Sequence, residues 1–523
     1  MDDERGGSAA AERPSRTSRS SDDSAFLVHH SLPWIALSLP SLALLWRLHG
    51  LWNPDGAYAY AWVVPFLAAY LFYRRWEDRP EMGLPLRWAG MAAISLAVLA
   101  APACWLREAA PERGLCEWTY ACATVGTALA LMAAAGGFAW MRWFAFPVCF
   151  LLTATPWPHG LEMVITNPLM RLTAAATVEI LCLAGVPAAQ SGNLVHIQNG
   201  VIDIDEACSG IRSLQAMVMV ALFLGEMYRL RPARRVSLLA LGIGVTLAAN
   251  VARTVTLSAI GNAHGMAAAD RWHDTAGIAV LALSLAVTLL AAFLMRDDRA
   301  AGPAPGGAFT APGGLCVAVI TLTIASQAGV ETWYRSHETA WRGWDWTVQW
   351  PAARDAFHPI DLPARSLRLL MCDEARAATW KTPGGGQWSL YGMRWNPGNP
   401  QAEAAKVHRP DVCLNAEGAV LRDDRGIETV AAGGMEIPFR GYTFRLGQQT
   451  LYVFFCLSEE APGDREPVWN PRFESVAMLR RALEGRRKFG LQSLEVALAG
   501  YASEADAQSA FKNQIGQLIQ HAH

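Results

Sequence analysis

Long apolar runs, separated by short breaks that carry arginine, fill most of the first 330 residues, and no other feature restricts the fold of this chain as much. About 20 mostly apolar residues suffice to cross a bilayer as a helix, which satisfies its own backbone polar groups there. Eight such runs lie near 25–47, 57–73, 88–106, 117–136, 138–157, 208–228, 236–260 and 275–295, and a ninth, "GLCVAVITLTIASQAGV", spans Gly314–Val330. Residues 331–523 have ordinary soluble composition. The expectation is an all-α polytopic membrane helical bundle, about eight transmembrane helices plus one linking helix, followed by a small α+β extracytoplasmic domain.

The domain limits follow from the same pattern. Residues 1–24 are polar and rich in Ser, Ala and Arg, and are expected to be a disordered cytoplasmic tail. Residues 25–296 form the membrane domain, 297–313 a cytoplasmic Gly/Pro-rich linker, 314–330 the linking helix and 331–523 the soluble domain. A formal net charge of -2 argues against nucleic acid as a partner and leaves the lipid bilayer as the first one. The ten cysteines lack the paired close spacing of a zinc site, so neither a metal nor a cofactor is expected.

Arginine sets the orientation, because cytoplasmic loops retain positive charge. "YRRWEDRPEMGLPLR" and "RLRPARR" hold four Arg each, whereas 159–207 holds one Arg against five acids. Alternation then puts 229–235 inside, and Cys208, the end of helix seven and the start of helix eight outside. Within the outer segment, "LEMVITNPLMRLTAAATVEILCLAGVP" is broken by Asn167-Pro168 and Arg171 and reads as an interfacial or re-entrant helix. "NLVHIQNGVIDID" alternates around Asn199-Gly200, a hairpin signal that delivers the chain into Cys208.

Three polar residues stand at that outer face. Cys208 opens helix six, where unpaired N–H groups favour a thiolate, and its small neighbours Ser209 and Gly210 leave the sulfur approachable. Arg253 interrupts an apolar helix with Asn250 one turn before it on the same face, and is a candidate cation for a thiolate or oxyanion. His273 is the candidate general acid and base, with Asp270 or Asp274 to orient it. The blander readings are a buried apolar thiol, an interfacial anchor and a surface histidine. Cys208, Arg212 and Gln215 share one helix face, and Arg212 is suited to a substrate carboxylate or to Asp205 or Glu206. No Lys precedes Lys381, so a Cys-Lys dyad is excluded and histidine has to do the proton work.

"EACSGIR" (Glu206–Arg212), "NVAR" (Asn250–Arg253) and "HDTAG" (His273–Gly277) resemble, in order and spacing, the motifs of the exosortase/archaeosortase family of membrane cysteine transpeptidases. "AYAYAWVVPFLAAYLFYRRW" and "FPVCFLLTATPWP" resemble the family too, so the likeness covers roughly 25–295. The resemblance implies catalytic roles for Cys208, Arg253 and His273, with Glu206, Ser209, Gly210, Arg212, Asn250, Asp270 and Asp274 in support. It also implies, as partners, secreted proteins whose C-terminal sorting tails hold a Pro-Glu-Pro-like motif, a hydrophobic helix and a basic end, together with an unidentified surface acceptor. It places the protein in the inner membrane, with active site and C-terminal domain extracytoplasmic. A non-catalytic scaffold for exopolysaccharide or surface-protein export, and a hydrolase that only clips tails, are the alternatives.

In the soluble part, "GYTFRLGQQTLYVFFCL" alternates as strands do and "PRFESVAMLRRALEGRR" has helical spacing. "VHRPDVCLNAEG" (407–418) resembles a motif of a domain often fused to exosortases, without the aromatic that commonly follows its Gly. Cys413 and Cys456, both expected in strands, are candidates for a disulfide, and His408 with Cys413 for a structural role rather than a second active site.

Overall fold

The computed structural model describes residues 18–52, 58–110, 114–204, 211–296, 309–337, 346–350, 357–362, 367, 370–382, 384–399, 402–406, 409–416, 418–432, 434–459, 474–487 and 490–521. Its membrane part is built from α1 (Ser18–Leu48), α2 (Val64–Glu77), α3 (Arg87–Ala109), α4 (Gly114–Phe150), α5 (His159–Leu183), α6 (Ile211–Met227), α7 (Pro232–His264), α8 (Met266–Leu294) and α9 (Gly313–His337). Among the described residues six helical stretches are long and apolar enough to cross a membrane: those at α1, α3, α4, α7, α8 and α9. Trp46, Phe66, Met91, Ile278 and Leu294 are among the large apolar side chains left exposed on the bundle, as lipid rather than water requires. This is a multi-pass membrane protein.

Two expectations change and one is met. α1 begins at Ser18, so 18–24 continue a helix instead of a disordered tail. α2 and α6, with 14 and 17 residues, are shorter than a full span, although a 3-10 turn (Ala59–Val63) extends α2 backwards. α4 is not one long rod: at Gly137 the backbone takes φ 75° and ψ -170°. A straight helix of that length would separate its ends by roughly 55 Å. Instead Trp118 Nε1 donates to the Pro156 carbonyl at 2.8 Å, and a Cβ on Gly114 would lie 2.6 Å from the Pro158 Cα. α4 is therefore a hairpin of two legs, as the runs 117–136 and 138–157 anticipate. The turn needs glycine twice over, since its φ is left-handed and a Cβ at 137 would meet the Leu84 carbonyl oxygen at 2.6 Å.

α7 and α8 make a second hairpin, turning on Gly265 alone (φ 83°). Small residues let the two backbones approach in one antiparallel register, with Gly242 against Thr288, Arg253 against Gly277 and Gly261 against Ala269. Inside it α7 buries a polar row, Thr246, Asn250, Thr254 and Ser258.

The helix ends gather at two opposite faces. At one, Arg75 and Arg235 pair with the buried Glu226, and Arg229 pairs with Asp78. At the other, a three-stranded ribbon, β1 (Ala188–Ser191), β2 (Leu194–Ile197) and β3 (Gly200–Asp203), rests on the α7–α8 turn. Its pairing of Ile197 with Gly200 makes Gln198 and Asn199 the loop residues, one position earlier than the Asn-Gly signal suggests. A Cβ on Gly200 would come within 2.7 Å of Met266 Cγ, and Asn199 donates to the Asn262 carbonyl.

The C-terminal domain is an antiparallel seven-stranded sheet in the order β5-β6-β7-β11-β10-β9-β8, with β4 (Trp346–Val348) and β12 (Ile519–His521) paired apart from it. Its strands are β5 (His358–Ile360), β6 (Glu374–Lys381), β7 (Gln387–Trp395), β8 (Val420–Ala432), β9 (Met435–Leu446), β10 (Gln449–Glu459) and β11 (Leu491–Ala499). Helices α10 (Pro410–Ala416), α11 (Glu474–Leu483) and α12 (Glu504–Leu518) complete the expected α+β composition. Alternation along β10 splits the core in two: Phe454 and Cys456 face α12, where Phe511 stacks on Phe454 at 3.9 Å, whereas Val453, Phe455 and Leu457 pack with Leu414 of α10 on the other side.

That division removes the disulfide. Cys413 lies in α10 rather than in a strand, across the sheet from Cys456, and the two form no disulfide. Burial pushes the Cys456 thiol up to about 12. Alkylation of the native protein should modify the half-buried Cys413 and spare Cys456 until the domain unfolds, as peptide mapping before and after denaturant would show.

The domain docks on the same end of the bundle as the ribbon. Arg487 bonds Glu331 at 2.7 Å and Glu108 at 3.3 Å, Trp333 donates to the Ala482 carbonyl at 2.8 Å, and Arg47 holds Glu108 at 2.5 Å. Arg487 is 4% exposed, and cutting a buried ion pair costs about 3 kcal/mol. Arg487→Ala should therefore loosen the docking, read as a lower melting temperature and faster proteolysis between α9 and β4. The "VHRPDVCLNAEG" segment also serves structure: Arg409 grips Asp411 through two bonds of 3.0 and 2.7 Å, Tyr442 donates to Asp411 at 3.2 Å, and Gly418 packs on Ser191 of the ribbon, where a Cβ would clash at 2.5 Å. His408 lies outside the described residues.

Candidate active site

Arg253 and His273, 20 residues apart, touch. Arg253 Nη2 lies 3.0 Å from His273 Nε2 and donates to the His273 carbonyl oxygen at 3.3 Å. Both sit deeper in helix than the apolar runs imply: α7 continues to His264, about three turns past Arg253, and His273 belongs to the second turn of α8 instead of preceding it. The α7–α8 register is what brings them together.

Guanidinium has donors only. The contact therefore assigns the lone pair to Nε2 and the ring hydrogen to Nδ1, which lies 3.0 Å from Asp274 Oδ1. A lone pair on Nε2 with a carboxylate at Nδ1 is the arrangement in which histidine serves as a general base in other nucleophile-base-acid constellations. Of the two acids left open by sequence, Asp274 makes the bond; Asp270 is exposed on the preceding turn and makes none to His273.

Gly277 explains the last letter of "HDTAG". A carbonyl in a helix is usually shielded by the side chain four residues on, and here that residue has none. An ideal Cβ at 277 would stand 3.4 Å from Arg253 Nη2 and 3.5 Å from Cζ, so alanine would just touch and a branched side chain would displace the guanidinium. Gly277→Leu should cut activity by about a hundredfold or more while Gly277→Ala keeps most of it, with melting temperature and detergent-gel mobility checking that both variants fold.

Asn250 is buried one turn from Arg253, and Arg212 is half-buried in the first turn of α6. Cys208 lies outside the described residues, as do Asp205, Glu206, Ser209 and Gly210. Sequence reading missed a second polar group at this end. Glu162 Oε1 accepts from Tyr58 Oη at 3.0 Å and Gln215 Nε2 at 3.2 Å, and Tyr58 Oη accepts from the Trp157 N–H at 3.0 Å. The Cys208, Arg212, Gln215 face was the available signal for it; the partners from 58, 157 and 162 carry none. No group of His, Cys, Asp and Glu among the described residues forms a metal cluster.

Residues 52–290 match the family profile of the transmembrane exosortases. That part of the chain belongs to the exosortase family. The match contains Arg253, His273, Gly277, Tyr58, Glu162 and the whole 205–210 segment, and it ends before α9, so the C-terminal domain lies beyond the exosortase region. No curated protein and no solved structure matches the chain.

Proposed function

We propose that this exosortase is a membrane cysteine transpeptidase that removes C-terminal sorting tails from secreted proteins and passes them to a surface acceptor. The reading rests above all on the Arg253–His273 contact: a cation and a neutral base, each costly inside an apolar hairpin, are held together at the end of the bundle where α6 begins. In the mechanism Cys208 gives its proton to His273 Nε2, and Arg253 turns from that nitrogen toward the developing oxyanion. The thiolate attacks the peptide carbonyl, the C–N bond breaks, and His273 returns the proton to the leaving amine. The thioester is then resolved by an amine or by water.

The arginine-rich end around Arg75, Arg79, Arg229 and Arg235 supports a cytoplasmic assignment for that face and an extracytoplasmic one for the site and the C-terminal domain, in the inner membrane. A hydrophobic tail parked in the bilayer would present its motif at that outer lip. Mass spectrometry of the mature C-terminus of a tail-bearing protein tests the reading: a new amide means transfer, a free carboxylate means hydrolysis, and an intact tail in cells with active enzyme refutes both.

A further inference from the structure

A carboxylate withdrawn from water normally has a cation beside it, because its charge is expensive otherwise. Glu162 has none: among the described residues no Lys, Arg or His lies within ion-pairing distance, and its two hydrogen bonds come from neutral donors, both on Oε1. Oε2 takes part in no hydrogen bond among the described residues.

Gln215 gives the second indication. It is 2% exposed, and its amide orientation is fixed by Glu162, toward which only the NH2 group can point. Its Oε1 is then a buried acceptor with no partner among the described residues, a group that costs free energy until a donor reaches it. Beside this pair stand the rings of Tyr58 and Tyr60, 6.2 Å apart between centroids. An open carboxylate oxygen, an orphaned amide oxygen and aromatic faces together ask for a ligand that is cationic and rich in N–H donors.

We propose that Glu162, Gln215 and Tyr58 form a subsite for the primary ammonium of the acceptor. This rests on the transpeptidase reading and adds the acceptor's chemical class. The bound ammonium releases one proton to solvent, and its nitrogen pair attacks the Cys208 thioester carbonyl. The second proton passes to His273 Nε2, the C–S bond breaks, and the thiolate departs as the amide forms.

The test compares two nucleophiles on purified full-length enzyme with a tail-bearing substrate at neutral pH: ethanolamine, which is cationic, and hydroxylamine, which is neutral. Loss of one charge-assisted bond predicts that in Glu162→Gln the ratio of ethanolamine product to hydroxylamine product falls about tenfold or more. A ratio equal to that of the native enzyme overturns the subsite, whether both products persist or both decline together. Methylguanidinium, cationic and non-nucleophilic, supplies a measurement without mutation: it should suppress ethanolamine transfer by the native enzyme selectively, and equal suppression of both products, or of neither, overturns the proposal even should the variant fail to fold. Products formed by Cys208→Ala would instead refute the transpeptidase reading itself, so the two failures are distinguishable.

Discussion

Cys208→Ala is expected to leave sorting tails intact, with processing reduced at least about a thousandfold. The size of the effect follows from chemistry that no neighbour can replace. No Lys precedes Lys381, so no amine in the membrane part can substitute as nucleophile. Among the described cysteines of the bundle, Cys104 and Cys316 are buried in apolar packing, and none touches the Arg253–His273 pair. Cys208→Ser should be nearly as inactive, because a neutral imidazole matched to a thiol is a poor base for a hydroxyl of far higher pKa. Pulse-chase processing of a tail-bearing protein measures both variants, and membrane insertion of the enzyme controls for folding.

Arg253→Lys is expected to be almost as damaging as Arg253→Ala, each losing about a hundredfold or more. One guanidinium nitrogen bonds both the His273 ring and the His273 carbonyl, and the planar head fills the room left by Gly277. A lysine ammonium is a compact point charge on a flexible stem and does not fill that slot with a planar, fixed donor group. If positive charge alone mattered, the Lys variant would recover most of the activity. A steady-state comparison of the two variants under saturating substrate decides the matter, with the loss expected in kcat more than in KM.

Much of this was legible along the chain because bilayers impose simple rules. Apolar run lengths located most of the helices, and their ends gather at two faces that carry separate Glu226 and Glu108 charge clusters. Cys208, Arg253 and His273 stood out because polar groups are expensive in apolar helices, and two of the three meet. What escaped were features set by packing at a distance. Helix limits at His264 and Met266 depend on the Gly265 turn and on the ribbon beneath it, so His273 read as loop when it is helix. Glu162 looked like one acid among five, since its significance comes from Tyr58 and Gln215, 104 and 53 residues away. Cys413 was assigned to a strand because a seven-residue helix leaves too short a period to read.

The sharpest test is to catch the acyl-enzyme. Full-length enzyme incubated with a tail-bearing substrate, quenched in acid and digested, should yield the Cys208 peptide carrying the substrate's new C-terminus as a thioester, more of it in His273→Ala where turnover stalls after acylation. An adduct on any other residue, or normal tail removal with Cys208 unmodified and replaceable by alanine, would contradict a nucleophile served by the Arg253–His273 pair.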